Sequence, residues 1–562
     1  MCNRAVEGLS KKRSLATFLF LSTSAATAIY YWFTTTKWWI ADDPAILKFS
    51  AQYPLLQSLF SPQVWQRFSP SNLTPMVILS FKLDLSAFGL NPSGFYLHQL
   101  LVVWLISFLL FLLLQRYVNP LVAAATSVFL LLSPPMTQCV SLLMTRHYLE
   151  GLALCTLSLL FYSWHLERGG SWRLGLSVAL YAVSTLCKEV FVPLPLVVAL
   201  WPRDIHERDG DSMKRRAKRV APFFLWLILY ATYRRWMLGK FIGGYGSLAA
   251  SFSTTALLER TYQGLFSGNT ALFLLCTALF LVLGVHLSGS RSRERVSLSA
   301  AVLLSILMPL MAISNLVSER HLLLPAFALT VAIAFGADAI LKRDRPWYPL
   351  LSATLVSLLL CLAIPAHLAA RKRLAPLTAS FAATGRFLWF KSTPDDAVLN
   401  PTIPNWYFDG LRWLKREVAN QGPCGLGLSN LCYAAILGGY KDQYRLWEYD
   451  SSQEKVKPLP RTEAEKRVKT CLSTFRKGEL TARIWESHGT VHWRFGPYQE
   501  GRYFLVDRET GYPYPLPRDG LFPATLASLS LEEKRLAVCY EAPKGWKTCT
   551  TPEISKTPPR GG

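Results

Sequence analysis

An adjacent carboxylate pair, Asp42-Asp43, follows Trp38-Trp39 and directly precedes Pro44. Asp ahead of a proline at the first helical position is a good helix start, and Asp43 suits that duty. Asp42 needs another explanation. Three further ionisable pairs interrupt apolar sequence: Arg146-His147, Lys188-Glu189 and Arg320-His321. Ionisable groups at membrane depth are costly and persist mainly where they face a cavity or a partner. Mutual pairing, Lys188 with Glu189 or Glu319 with Arg320, accounts for each of them singly. Together they supply cations that can hold a phosphate and a carboxylate that can accept a proton from an attacking hydroxyl. Displacing a lipid phosphate from a sugar needs those elements and little else. No Ser–His–acid order, P-loop or Gly-rich dinucleotide motif is visible. The machinery for a cytosolic nucleotide-linked sugar is missing, and a lipid-linked donor fits better.

What must position these groups is a set of membrane spans. The chain is 51% apolar, yet it carries 60 Lys plus Arg against 36 Asp plus Glu. In a soluble protein that charge would suggest nucleic acid. Here the basic residues cluster in short runs between long apolar stretches, as membrane topology requires, which argues against nucleic-acid binding. A helix crosses about 30 Å of hydrocarbon with ~20 apolar residues. Eleven spans are expected at 14–33, 97–114, 121–136, 149–164, 174–187, 190–201, 220–238, 271–287, 298–314, 321–340 and 348–366. The third, fifth and sixth are short. The first shows no small-residue cleavage site before Tyr30-Tyr31-Trp32-Phe33 and reads as a retained anchor.

With alternating spans, Lys11-Lys12-Arg13, Arg116, Arg168, Arg173 and the basic runs within 214–219, 291–295 and 342–345 fall on the cytoplasmic side. Asp42, Arg146, Lys188 and Arg320 then share the opposite side, periplasm or lumen, with everything after Ala366. Arg371-Lys372-Arg373 runs against the rule, marking a miscounted helix or a site for anionic lipid heads. The expected fold is a mainly α-helical polytopic membrane domain over 1–370 and a soluble α+β domain over 371–562. In the latter, 375–390, 406–420 and 462–480 read as helices, and 482–485, 491–495 and 502–506 as an antiparallel meander. Segments 535–540 and 546–550 flank Ala542-Pro543-Lys544-Gly545 as a hairpin. Cys539 and Cys549 then face each other, placed for a disulfide in an oxidising compartment. Cys424 and Cys432 are candidates for a second, leaving Cys471 unpaired. No cysteine spacing suggests zinc. His488 and His492 are four apart on a turn and a strand, where that spacing does not build a metal site; a divalent metal is possible but not indicated.

Asp42-Asp43-Pro44-Ala45-Ile46 resembles the acidic first-loop motif of GT-C glycosyltransferases, polytopic enzymes that use polyprenyl-phosphate sugars. The stretches 75–81 (Pro-Met-Val-Ile-Leu-Ser-Phe) and 89–97 (Gly-Leu-Asn-Pro-Ser-Gly-Phe-Tyr-Leu) are similar to a segment of the transmembrane–tetratricopeptide protein O-mannosyltransferases. Cys187-Lys188-Glu189-Val190 looks like their Ser/Cys-Lys-Glu turn, and Ser318-Glu319-Arg320-His321-Leu322-Leu323-Leu324-Pro325 like their Glu-Arg-x-Leu-Tyr-Leu-Pro motif. The resemblance runs in order from Trp38 to Ala339. It implies a GT-C-like fold and an undecaprenyl- or dolichyl-phosphate donor carrying one sugar. It also implies an inverting displacement onto an acceptor hydroxyl of protein Ser/Thr or a glycan. By the same resemblance Asp42 is the base, Lys188 and Arg320 hold the donor phosphate, and Asp43 and Glu189 support them. Arg146 and His147 join the candidate substrate-binding residues on placement alone. The implied location is a bacterial inner membrane or the ER membrane, with membrane lipids as partners and the site on the periplasmic or lumenal side. Two departures matter: the repeats are absent, and Leu323 stands where the family has Tyr. Rival readings are a transporter or flippase of lipid-linked sugars, and a non-catalytic assembly protein. The transporter should show duplicated halves, which are not visible.

Overall fold

The computed structural model describes residues 23–199, 201, 213–241, 253–286, 317–342, 346–487, 490–522 and 535–555. The expected span 298–314, the first part of span 14–33, and His488 lie outside them. The chain divides into two compact units. One comprises Met1–Thr36, Ser93–Thr232 and Ser251–Leu374, and the other Lys37–Pro92, Tyr233–Ala250 and Ala375–Gly562.

The first unit is helical. Among the described residues four helices are long and apolar enough to cross a membrane: Pro92–Leu114, Leu143–Arg168, Glu319–Leu341 and Tyr348–Phe390. Two bent pairs raise the number to six if each is one span. Helices of this length and composition belong in a bilayer, so this is an integral membrane protein. Of the eleven expected spans, 298–314 lies wholly and 14–33 partly outside the described residues, and some of the others are bent or short helices. Pro134 lacks an N–H and pushes Ser133 out of helical geometry, so Pro120–Leu131 and Pro134–Ser141 meet at 54°. Ser267 and Gly268, both at positive φ, reverse the chain between Thr254–Phe266 and Thr270–Phe280, which cross at 99°. The expected span 190–201 contains a 3₁₀ turn, Glu189–Phe191, and a helix of six residues, Leu194–Ala199. Ser171–Cys187 has 17 residues, and Met213–Leu238 is basic at both ends.

Buried polar groups lock the breaks. Gln99 donates its side-chain N–H groups to the carbonyls of Cys139, Val140 and Leu142, at 2.8, 3.0 and 3.3 Å. Those carbonyls have lost helical partners where Pro134–Ser141 ends. The basic tract that ran against the topology rule is absorbed in the same unit. It lies inside the continuous 43-residue helix Tyr348–Phe390. Arg373 pairs with Glu319 and donates to the Ser267 hydroxyl, and the Arg371 guanidinium lies 3.7 Å from the Phe33 ring centroid.

The second unit is strand-rich. Strands β1 (Asp396–Leu399), β2 (Leu426–Leu428), β3 (Arg445–Asp450) and β4 (Lys455–Pro458) form a sheet of order β2-β1-β3-β4, with β1 parallel to both β2 and β3. Strands β5 (Thr481–Ser487), β6 (Thr490–Gly496), β7 (Arg502–Asp507), β8 (Pro513–Leu516), β9 (Asp519–Phe522), β10 (Leu536–Glu541), β11 (Lys547–Thr550) and β12 (Glu553–Ser555) form two more, β11-β10-β7-β8 and β12-β5-β6-β9. One apolar cluster draws on both, with Ile484, Trp493, Phe495, Val538 and Tyr540 at its centre. The expected meander holds for β5 and β6 but not beyond. The third strand, β7, pairs with β8 and β10, and it is buried along most of its length as a central strand. Alternation identifies a strand without naming its neighbour. Cys539 and Cys549 face each other across β10 and β11 and form a disulfide. The second disulfide joins Cys432 to Cys471 rather than to Cys424, whose thiol is free and buried. The contact between helices Leu431–Leu437 and Arg461–Thr474 makes that pairing, which linear spacing could not reveal.

Two carboxylates give this unit an acid limit. Burial alone would raise both. In Asp507 the Thr510 backbone N–H at 2.9 Å, the Arg535 guanidinium at 2.8 Å and the Thr510 hydroxyl outweigh it. In Asp396 the Thr393 N–H at 2.7 Å, the Trp447 indole at 2.9 Å, the Thr393 hydroxyl and Arg445 do the same. Each carboxyl is held below its ordinary value. A depressed carboxyl contributes stability above its unfolded value of about 3.9, and the contribution is lost as pH falls through the folded value. Thermal unfolding of the full-length protein in detergent should therefore show the strand-rich unit melting earlier between about pH 5 and pH 2. A transition that stays put over that range would rule the two carboxylates out as stabilising groups.

Candidate active site

The acidic pair belongs to the second unit. Ala41 adopts φ +50°, the left-handed region that costs a non-glycine residue roughly 1 kcal/mol or more. The turn is tied both ways: Asp43 N–H donates to the Ile40 carbonyl at 3.1 Å, and Ile40 N–H donates to Asp43 Oδ2 at 2.7 Å. Asp43 is fully buried and opens the helix Asp43–Gln52, where a negative charge suits the helix N-terminus. Asp42 is different. It is exposed and its side chain makes no capping hydrogen bond to the helix. Its Oδ1 accepts the indole N–H of Trp406 at 2.8 Å. Structural duty thus falls on Asp43, and Asp42 presents a carboxylate to solvent.

The cations belong to the first unit. The helix Ser171–Cys187 ends because Lys188 turns extended, at φ −158° and ψ 139°. Its ammonium is buried and lies 5.2 Å from the Tyr148 ring centroid. Burial lowers it to about 8, with Glu189 opposing the shift and the Arg320 charge adding to it. Arg320 stands in the 3₁₀ turn Glu319–Leu322, and its backbone N–H donates to the Gln138 side-chain oxygen. The neighbouring acid does not neutralise it, since Glu319 pairs with Arg373. His321 packs against Tyr148, ring centroids 6.1 Å apart. Its Nδ1 accepts the Ser318 backbone N–H at 3.0 Å, so in the neutral ring Nε2 carries the hydrogen and can donate.

The structure therefore brings Lys188 and His321 together at Tyr148, with Arg320 next to His321 in the same 3₁₀ turn. His147 lies tilted against Tyr148, ring centroids 4.7 Å apart. Arg146 is used otherwise. It is fully buried, donates to the Phe95 carbonyl at 2.7 Å and lies over the Phe95 ring. Glu189 is half-buried at the start of its 3₁₀ turn. Among the described residues no group of three His, Cys, Asp or Glu could hold a metal ion. Sequence reasoning missed Tyr148, Gln138 and Trp406. Tyr148 could have been found, as it adjoins Arg146-His147. The others are ordinary residues of helices, and only folding gives them a role.

No family model matches the chain, and no curated protein matches it significantly. Among solved structures it is similar to the crystal structure of ArnT from Cupriavidus metallidurans bound to undecaprenyl phosphate, at 13% identity and a TM-score of 0.46, covering 78% of this chain and 93% of that one. The apo form of the same protein matches at 13% identity and a TM-score of 0.43, with the same coverage. A likeness this distant carries no functional argument.

Proposed function

We propose that this protein is an inverting GT-C-type glycosyltransferase. It moves a single sugar, a hexose such as mannose, from a polyprenyl-phosphate donor to an acceptor hydroxyl on the periplasmic or lumenal side. One observation carries the reading: Lys188 and His321, from segments far apart in the chain, both lie against Tyr148, the charge of Arg320 beside His321 acts on Lys188, and Glu319 is occupied by Arg373. Cations at a buried position suit an anionic lipid phosphate. The phosphate lies against Lys188 and Arg320, with His321 Nε2–H as a further donor. Asp42 takes the proton of the acceptor hydroxyl as its oxygen attacks the anomeric carbon. The bond from that carbon to the phosphate oxygen breaks, and the phosphate departs with the electron pair, stabilised by the two cations. One displacement inverts the anomeric centre.

The test is full-length protein in lipid nanodiscs, given radiolabelled polyprenyl-phosphate monosaccharides with Ser/Thr peptides and glycans as acceptors. The expected product is a glycoside whose anomeric configuration is opposite to the donor's, read by NMR. A retained configuration overturns the single displacement. No transfer and no donor hydrolysis across the panel overturns the enzyme reading.

A further inference from the structure

One helix of the strand-rich unit touches the acidic loop at three successive places. Trp406 donates its indole N–H to Asp42 Oδ1 at 2.8 Å. The next residue, Tyr407, is fully buried and donates its hydroxyl to the Trp39 carbonyl at 3.2 Å. One turn on, Gly410 lies against the backbone of Pro44. A Cβ there would sit 2.6 Å from the Pro44 carbonyl carbon and 2.8 Å from its oxygen. No side chain fits, so the helix Asn405–Trp413 can rest directly on the start of Asp43–Gln52 only because position 410 is glycine. The contacts thus fall on Trp39, Asp42 and Pro44, either side of the strained Ala41 turn.

The Trp406 bond is not needed to satisfy a buried group. Both partners are exposed, with Trp406 at 39%, and each could bond water instead. What the bond does is fix one carboxylate oxygen and leave Oδ2 for another partner. Tyr512 packs edge-on against the Trp406 ring, centroids 5.5 Å apart, and limits the indole's swing. A general base must meet its proton at hydrogen-bond distance, and a misplacement of about 1 Å can cost ~10²-fold.

We infer that Trp406 is a positioning residue for Asp42, and that the helix Asn405–Trp413 makes the C-terminal domain an integral part of the base. The inference rests on the proposed role of Asp42 and names what orients it. Gly410 sets the depth of the helix, Tyr407 anchors the loop, and Trp406 aims the carboxylate.

The experiment is a double-mutant cycle on full-length protein in nanodiscs, with radiolabelled polyprenyl-phosphate monosaccharides as probes. Trp406→Phe keeps the ring and removes the N–H. Its kcat should fall roughly 10- to 100-fold, with donor KM and melting temperature unchanged. In the Asp42→Asn background the same change should cost less than about twofold, because two residues acting as one unit are not additive. Gly410→Ala should lower kcat likewise; should it fail to fold, Trp406→Phe still decides. Wild-type kcat in Trp406→Phe, with Asp42→Asn inactive, overturns the positioning role alone. So does a loss that is equal in both backgrounds, which marks a structural residue. Full turnover by Asp42→Asn, or none by the wild type on any donor, overturns the base assignment and this inference together.

Discussion

Asp42→Asn is expected to lower sugar transfer by about 10²–10⁴-fold, the usual contribution of general-base catalysis. The substitution is nearly isosteric, and its side-chain oxygen still accepts the Trp406 N–H, so the loop keeps its shape. What it loses is the capacity to take a proton. Donor binding stays almost intact, because a carboxylate makes no favourable contact with an anionic phosphate. Single-turnover transfer measured beside donor binding separates the two effects. An Asp42→Asn enzyme that transfers at the wild-type rate sinks the assignment. Asp43, buried and bonded to the Ile40 N–H, would then have to leave its structural post to serve.

Arg320→Ala behaves differently. It removes a charge-assisted contact that exists before the reaction starts, so donor affinity falls together with turnover. A hydrogen bond between charged groups is worth about 1.5–3 kcal/mol, so the donor Kd should rise roughly 10- to 150-fold. Arg320→Lys should recover part of it, since an ammonium keeps the charge but not the planar fork. Arg373→Ala should move in the same direction without touching the donor. It releases Glu319 to neutralise Arg320, its chain neighbour. Titration of the three variants with a polyprenyl phosphate is the measurement. Unchanged affinity in Arg320→Ala would remove that residue from the phosphate site.

The candidate pairs were legible because ionisable residues in apolar sequence stand out. Their partners were not. Nothing about Gln138 or Trp406 differs from any other helix residue until the chain brings it to Arg320 or Asp42. Glu319 and Arg320 looked like a self-neutralising pair in sequence. A third residue, Arg373, reverses that meaning, and its own basic tract had looked like a topological anomaly. The bend in the expected span 121–136 was hidden for a local reason: hydropathy reads composition, while Ser133-Pro134 decides whether that helix continues straight. In the strand-rich unit, β5, β6 and the Cys539–Cys549 hairpin could be read from alternation and turn residues. The parallel strands β1 and β2 could not, being only four and three residues long and buried throughout.

The bond from Trp406 to Asp42 joins residues 364 positions apart. A ribosome working at about 5–20 residues per second needs roughly 20–70 s to cover that interval. For all of that time the nascent chain carries Asp42 without the indole that holds it. The first loop is made early, yet its carboxylate meets the Trp406 indole only after the polypeptide has reached helix Asn405–Trp413. With Asp42 as the proposed base, competence to react is scheduled by the order of synthesis. A chain that stalls or is clipped before Trp406 then leaves the Asp42 carboxylate without its indole partner.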